Sequence, residues 1–309
     1  MRCTIKCKVV FLLLALLQLF STGIVSAQED LLSLLPAEPE KKQFVKNAFK
    51  ATRVITGQSL EQVAAGVLDF RILHRFGAVN GGLEEAFGLD NATMRLGLDY
   101  GITDRLMVGI GRSTNKKELD GFVKYRLIWQ GTGKGSLPFS MILISGITKV
   151  GTPWPDETRK NYYSSRLAFY HQALIGRKFS EVFSLQFMPT VVHRNLVQSV
   201  EDEHDIYALG IGTRLKLSHR VAINLEYFYL LPDQLPSSNT NPLSIGFDIE
   251  TGGHVFQLHL TNSLGLNERS LLTDTNGSWG KGDIHFGFNI SRVFTLSKPK
   301  SFRKPETGN

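Results

Sequence analysis

Between about residue 66 and residue 294 the chain repeats one pattern, in which apolar and polar residues alternate with a period of two and no helical period persists. Leu68, Phe70, Ile72 and Phe76 alternate with Asp69, Arg71, Leu73 and Arg75. Val123, Tyr125, Leu127 and Trp129 alternate with Lys124, Arg126, Ile128 and Gln130, and Val221, Ile223, Leu225 and Tyr227 with Ala222, Asn224, Glu226 and Phe228. About twelve such runs occur, near 66–76, 92–100, 106–113, 119–130, 138–147, 163–176, 182–193, 206–217, 221–230, 243–250, 254–262 and 283–294. Most have the length of about 8 to 12 residues that a tilted strand needs to cross a hydrocarbon layer.

The connections alternate too. Segments 77–91, 148–162, 194–205, 231–242 and 263–282 are long, with 114–118 the exception. Segments 101–105, 177–181, 218–220 and 251–253 are short, and 131–137 is a slightly longer Gly-rich turn. Long loops on one side and short turns on the other are the pattern of a bacterial outer-membrane barrel. Three of the short turns are related, each with a hydroxyl residue (Thr103, Ser180, Ser218) between two strands.

Alternation alone also fits a soluble sandwich, and residue size separates the two. One face of the strands is Leu, Ile, Val, Phe and Tyr; the other holds Gly97, Gly109, Gly111, Gly210, Gly212, Gly246 and Gly287 among charged and amide side chains. Glycine weakens a strand and is an odd choice for a solvated outer face, whereas a small, polar interior suits a lipid-facing barrel. Tyr100, Tyr125 and Trp129 lie near one end of their strands and Tyr207, Tyr227 and Tyr229 near the other, which suggests two aromatic girdles. The fold class expected is an all-β, antiparallel, up-and-down transmembrane β-barrel of about twelve strands over residues 61–294.

Residues 1–27 read as a cleaved signal peptide, with Arg2, Lys6 and Lys8, an apolar stretch from Val9 to Phe20 and Val25-Ser26-Ala27 before the cut. Both cysteines, Cys3 and Cys7, lie in it, so the exported chain has no disulfide. Removing the segment's three cations from the formal net charge of +7 leaves +4, too small and too dispersed to point to nucleic acid. Residues 28–60 read as a periplasmic linker or short helix, with a lid or plug entering the barrel as a further reading; 295–309, with Lys298, Lys300, Arg303 and Lys304 among prolines, read as a disordered periplasmic tail. Phe286, Phe288, Ile290 and Phe294 make the last strand aromatic-rich, like the signal that barrel-assembly machinery reads.

Thr52-Arg53-Val54-Ile55, Leu68-Asp69-Phe70-Arg71-Ile72, His74-Arg75-Phe76-Gly77 and the run from Arg95 to Arg105 resemble an uncharacterised family of Gram-negative β-barrel proteins catalogued as a domain of unknown function. Gly109-Ile110-Gly111-Arg112-Ser113 and Asp120-Gly121-Phe122-Val123-Lys124-Tyr125 extend the likeness, which is strongest over about residues 49–130. The resemblance implies a barrel in the cell envelope and brings no substrate or catalytic residues.

Twelve tilted strands enclose a radius of roughly 12 Å, room for a small solute if nothing plugs the lumen. Expected lumen cations are Arg71, Arg75, Arg95, Lys124, Arg126, Arg166, Arg214 and Lys216; expected anions are Asp69, Asp99, Asp120, Glu226, Asp248 and Glu250. With the cations mostly on strands one to eight and three anions on nine and ten, they could set up a transverse field for polar solutes, or pair into a network that seals the lumen. The sequence points to a passive channel for small polar or anionic solutes, surrounded by outer-membrane lipid and using no cofactor. The alternative is a sealed structural barrel that binds partners through its outer loops. A lipid-facing hydrolase using His171 and Ser165 is the third reading, although six residues of extended strand hold them roughly 20 Å apart. His259 and His285 face inward on adjacent strands, and two ligands without a third are a weak metal signal.

Overall fold

A computed structural model describes residues 42–154, 156–158, 160–197 and 202–297. The signal segment, the first part of 28–60 and most of the 295–309 tail lie outside the described residues. The alternating runs form twelve antiparallel strands: β1 Val67–Ala78, β2 Ala92–Gly101, β3 Leu106–Ser113, β4 Leu119–Ile128, β5 Ser140–Lys149, β6 Leu167–Lys178, β7 Phe183–Arg194, β8 Asp205–Lys216, β9 Val221–Leu230, β10 Leu243–Thr251, β11 His254–Thr261 and β12 His285–Thr295. Each pairs with its neighbours in sequence, and β12 pairs with β1 to close the barrel. Closure gives every strand two ladders, so no backbone edge is left to face lipid.

The burial pattern is inverted relative to a soluble protein. Ile110, Val123, Leu98 and Phe247 are exposed on the outer wall, while Arg71, Arg75, Arg95, Asp99 and Lys124 are buried on the inner one. Inward glycines make room for long neighbours. A Cβ on Gly111 would lie 2.0 Å from the Arg95 guanidinium, and one on Gly109 would lie 2.4 Å from the Phe122 ring. The interior of β2 to β4 is thus packed by side chains reaching sideways across glycine rows.

At the turn end the three related turns share one geometry. Thr103 Oγ1 accepts from the N–H groups of Arg105 and Leu106, Ser180 Oγ from Val182 and Phe183, and Ser218 Oγ from Arg220 and Val221. A side-chain oxygen bonding the backbone two and three residues on is what favours these residues in turns. Strand β12 runs to Thr295, and the N–H groups of Leu296 and Ser297 both donate to Gly66 O, so the start of the tail is tied to the base of β1.

Residues 42–66 contain no helix. Gln43–Phe44 pairs with Gly131–Thr132 at the turn end. Trp129 stacks on Phe44 at 4.9 Å and its indole N–H donates to Val45 O at 2.8 Å. Trp129, expected in a lipid girdle, instead holds this segment at the barrel rim. The chain then enters the barrel, and almost every residue from Ala48 to Leu60 is buried. Where the sequence favours a linker or short helix, the structure has a hairpin inside the lumen, because the inward side chains supply hydrogen-bond partners that solvent would otherwise give.

Candidate functional site

The hairpin turns at Val54-Ile55-Thr56-Gly57, closed by Val54 N–H to Gly57 O at 2.8 Å and Ser59 N–H to Thr52 O at 2.9 Å. Glu226 on β9 caps its tip, accepting from the N–H groups of Ile55 at 3.1 Å, Thr56 at 3.2 Å and Gly57 at 2.9 Å. Three converging donors on one buried carboxylate are charge-assisted bonds, roughly twice as strong as neutral ones. Arg75 on β1 donates to Thr56 Oγ1. Asn289 on β12 donates to Ile55 O at 2.8 Å, and Gln257 on β11 donates to Val54 O and to Asp248 on β10.

The opposite wall grips the stem. Lys124 Nζ on β4 donates to Ser59 O and Glu61 O, both at 2.7 Å, and to Thr52 O at 3.2 Å. Arg126, two residues on, donates to Leu60 O at 3.0 Å and Gln62 Oε1 at 3.1 Å. Gln186 on β7 takes the Leu60 N–H and donates to Gln58 O. The hairpin is held around most of the barrel's circumference.

A second element meets the hairpin from the loop end. Within the connection between β11 and β12, Asn267 caps a one-turn helix, α1 Glu268–Thr273, all of whose residues are buried. Glu268 Oε1 accepts from Arg53 of the hairpin at 2.7 Å and from Gln58 at 3.2 Å. Hairpin and loop therefore meet inside the barrel, at an ion pair whose side chains are 0% and 2% exposed. The loop is latched to the connection between β3 and β4, where Arg269 binds Glu118 and Asp274, Asn267 bonds Glu118, and Lys116 reaches Asp274 at 2.9 Å. Burial pushes the Glu118 carboxyl above the ordinary carboxylate range despite the Arg269 guanidinium beside it. Asp274 is buried as well, but Arg269 and Lys116 hold it below that range.

Eleven of the fourteen side chains expected to line the lumen are buried on the inner wall: Asp69, Arg71, Arg75, Arg95, Asp99, Asp120, Lys124, Arg126, Arg214, Glu226 and Asp248. Three lie elsewhere. Arg166 sits in the turn before β6, stacked over Trp154 and bonded to Val150 O and Thr152 O, because that strand begins only at Leu167. Glu250 is at the turn-end rim, paired with Lys50 at 2.6 Å, and Lys216 is the last, half-buried residue of β8. Two pairs of wall charges are balanced locally, Asp69 with Arg71 at 2.9 Å and Arg95 with Asp120 through two bonds, whereas Lys124 and Arg126 face oxygens of the hairpin.

Sequence reasoning missed an apolar sector. Phe122, Ile142, Ile144, Tyr170, Leu174, Met188, Val192, Ile206 and Phe228 form one buried cluster with Phe49, Val54 and Leu60 of the hairpin and Leu271 and Leu272 of the loop. The signal lay in Ser140-Met141-Ile142-Leu143-Ile144, where alternation fails because both faces of β5 are covered by apolar surroundings. His171 faces outward in mid-strand on β6, whereas Ser165 lies in the turn before that strand. His259 and His285 are buried on adjacent strands, and among the described residues no three His, Asp or Glu side chains are grouped to hold a metal ion.

A family model described as a membrane-bound β-barrel domain (DUF5777) matches residues 49–294, a span that takes in the hairpin as well as the strands. None of the curated proteins matches the chain. Solved structures similar to it include a NanC porin (8% identity, 74% of this chain and 98% of that one, TM-score 0.46). They also include an outer-membrane channel from Pseudomonas putida F1 (14% identity, 76% and 97%, TM-score 0.44) and the outer-membrane protein Omp33 of Acinetobacter baumannii (8% identity, 74% and 97%, TM-score 0.40).

Proposed function

Since the chain belongs to the family of membrane-bound β-barrel domains (DUF5777), we propose that it is an outer-membrane channel held closed at rest, with the N-terminal hairpin as its gate. The observation that carries this reading is the meeting of Arg53 and Glu268 inside the lumen, where the hairpin is latched to a buried loop helix by one ion pair. The hairpin's bonds to the wall are hydrogen bonds that water can replace, about 1 kcal/mol net for the neutral ones and about 1.5–3 kcal/mol for those to Lys124, Arg126 and Glu226, and none belongs to the strand ladders, so withdrawal toward the turn end need not unfold the barrel. Passage is passive and suits small polar or anionic solutes, with no chemistry and no cofactor. Export by the 1–27 segment, insertion by the assembly machinery through the aromatic β12 and a surrounding shell of lipid complete this picture.

A sealed barrel is the second reading, favoured by the burial of the interior charges. Arg53, Arg75, Arg95 and Lys124 are at most 1% exposed, unlike charges lining a water-filled pore. Glu268→Lys separates the two readings in a planar bilayer. It sets a second cation against Arg53, and we expect the nearly silent intact protein to become one with frequent openings. A folded Glu268→Lys barrel that stays silent would favour the sealed reading.

A further inference from the structure

The inner wall of the barrel is divided. Between Ser140 and Thr148, Ala168 and Gly176, and Ser184 and Val192, the inward positions of β5, β6 and β7 carry no charged residue. Ile142, Ile144, Tyr170, Leu174, Met188 and Val192 form an apolar cluster in this uncharged sector, with the neutral side chains of Gln172, Gln186 and Thr190 beside them. Directly beside it on β4 stand two cations in register, Arg126 opposite Ile142 and Lys124 opposite Ile144. Both are buried, and neither has a carboxylate within ion-pair distance among the described residues. Their partners are oxygens of the hairpin: carbonyls of Thr52, Ser59, Leu60 and Glu61 and amides of Gln58 and Gln62.

The resident hairpin is therefore a cast of what this sector accepts. It offers oxygens to Lys124 and Arg126 and aliphatic side chains, Val54 and Leu60, to the apolar cluster beside them. When it leaves, Lys124, Arg126 and Arg75 lose their hairpin acceptors, while Glu226, Glu268, Asp99 and Glu250 lose their hairpin donors; Lys124 and Arg126 stand together on β4 beside the apolar cluster, so the surface vacated at that spot is cationic. An apolar lane is costly to leave against water, and a buried cation is costly to leave without an acceptor. We propose that the lumen takes an amphiphilic anion, with its acidic head on Lys124 and Arg126 and its hydrocarbon body along β5 to β7, in the place the hairpin occupies at rest. This rests on the gated-channel reading and gives it a substrate class: a monoanionic amphiphile in place of a hydrophilic ion.

The test uses the full chain in proteoliposomes, with protein-free vesicles as background. Three solutes are compared below lytic concentration: octanesulfonate, methanesulfonate (the same head without the body) and octyltrimethylammonium (the same body with the opposite charge). We expect octanesulfonate to pass at least about tenfold faster than either, and Lys124→Gln with Arg126→Gln to erase its advantage over the ammonium while leaving the barrel folded. Equal or faster passage of methanesulfonate would overturn the amphiphile and leave the channel standing. If nothing passes, amide exchange of residues 52–60 in nanodiscs separates the two claims. Exchange accelerated by octanesulfonate alone keeps the site and rejects transport, and unchanged exchange rejects both.

Discussion

Replacing Glu226 by alanine should release the hairpin tip. The N–H groups of Ile55, Thr56 and Gly57 all converge on this one buried carboxylate. Hydrogen bonds to a charged group contribute about 1.5–3 kcal/mol each, and orphaned buried donors add their own cost, so a local loss of about 3 kcal/mol is a conservative expectation. Amide exchange at residues 55–57 should then accelerate on the order of a hundredfold, while the amides of β9 keep their protection. Glu226→Gln, which keeps an acceptor oxygen but not the charge, should fall between. Unchanged exchange in Glu226→Ala would mean that Arg75, Asn289 and Gln257, with packing against Phe228, hold the tip without the carboxylate.

The second large effect concerns the wall itself. A side chain at Gly111 cannot coexist with Arg95, whose guanidinium lies flat over that position. Gly111→Val should drive Arg95 away from Asp120 and break a pair whose side chains are 0% and 4% exposed. Removing one partner from a buried pair costs about 3–5 kcal/mol, and this change strands both. We expect a clear fall in the urea midpoint of barrel unfolding, followed by gel mobility. Gly121→Val is the control: the nearest atom to its Cβ position is 3.6 Å away, on the outward face, and its midpoint should barely move.

The barrel was legible because a sheet with lipid on one side and a mixed interior on the other writes its register as alternation. Leu68 to Phe76 and Val123 to Gln130 give strand, face and direction at once, and Thr103, Ser180 and Ser218 mark the turns by a hydroxyl whose bonds are local. The hairpin was not legible for the opposite reason. Thr52 to Leu60 has no period, and its conformation is set by Lys124, Gln186, Glu226 and Asn289, which come from four strands distant in sequence. The site is likewise divided. Asp69, Arg71, Arg95 and Asp120 could be placed inside from alternation alone, but their pairing depends on which glycines let a side chain cross to the next strand. Arg166 was misplaced because strand ends depend on loop geometry more than on pattern, and Glu250 stands at the rim of the inner face, where it meets Lys50.

The proposed gate is the N-terminal hairpin, closing a lumen which is otherwise passable. Its most direct test is planar-bilayer conductance of the protein with and without residues 42–60, both shown to be folded by gel mobility and far-ultraviolet circular dichroism. We expect a flat baseline broken by rare openings for the intact chain, and steady current with a mild anion preference, reduced by Arg126→Gln, once the hairpin is gone. Steady current through the intact chain, or a folded hairpin-free barrel that stays silent, would contradict it.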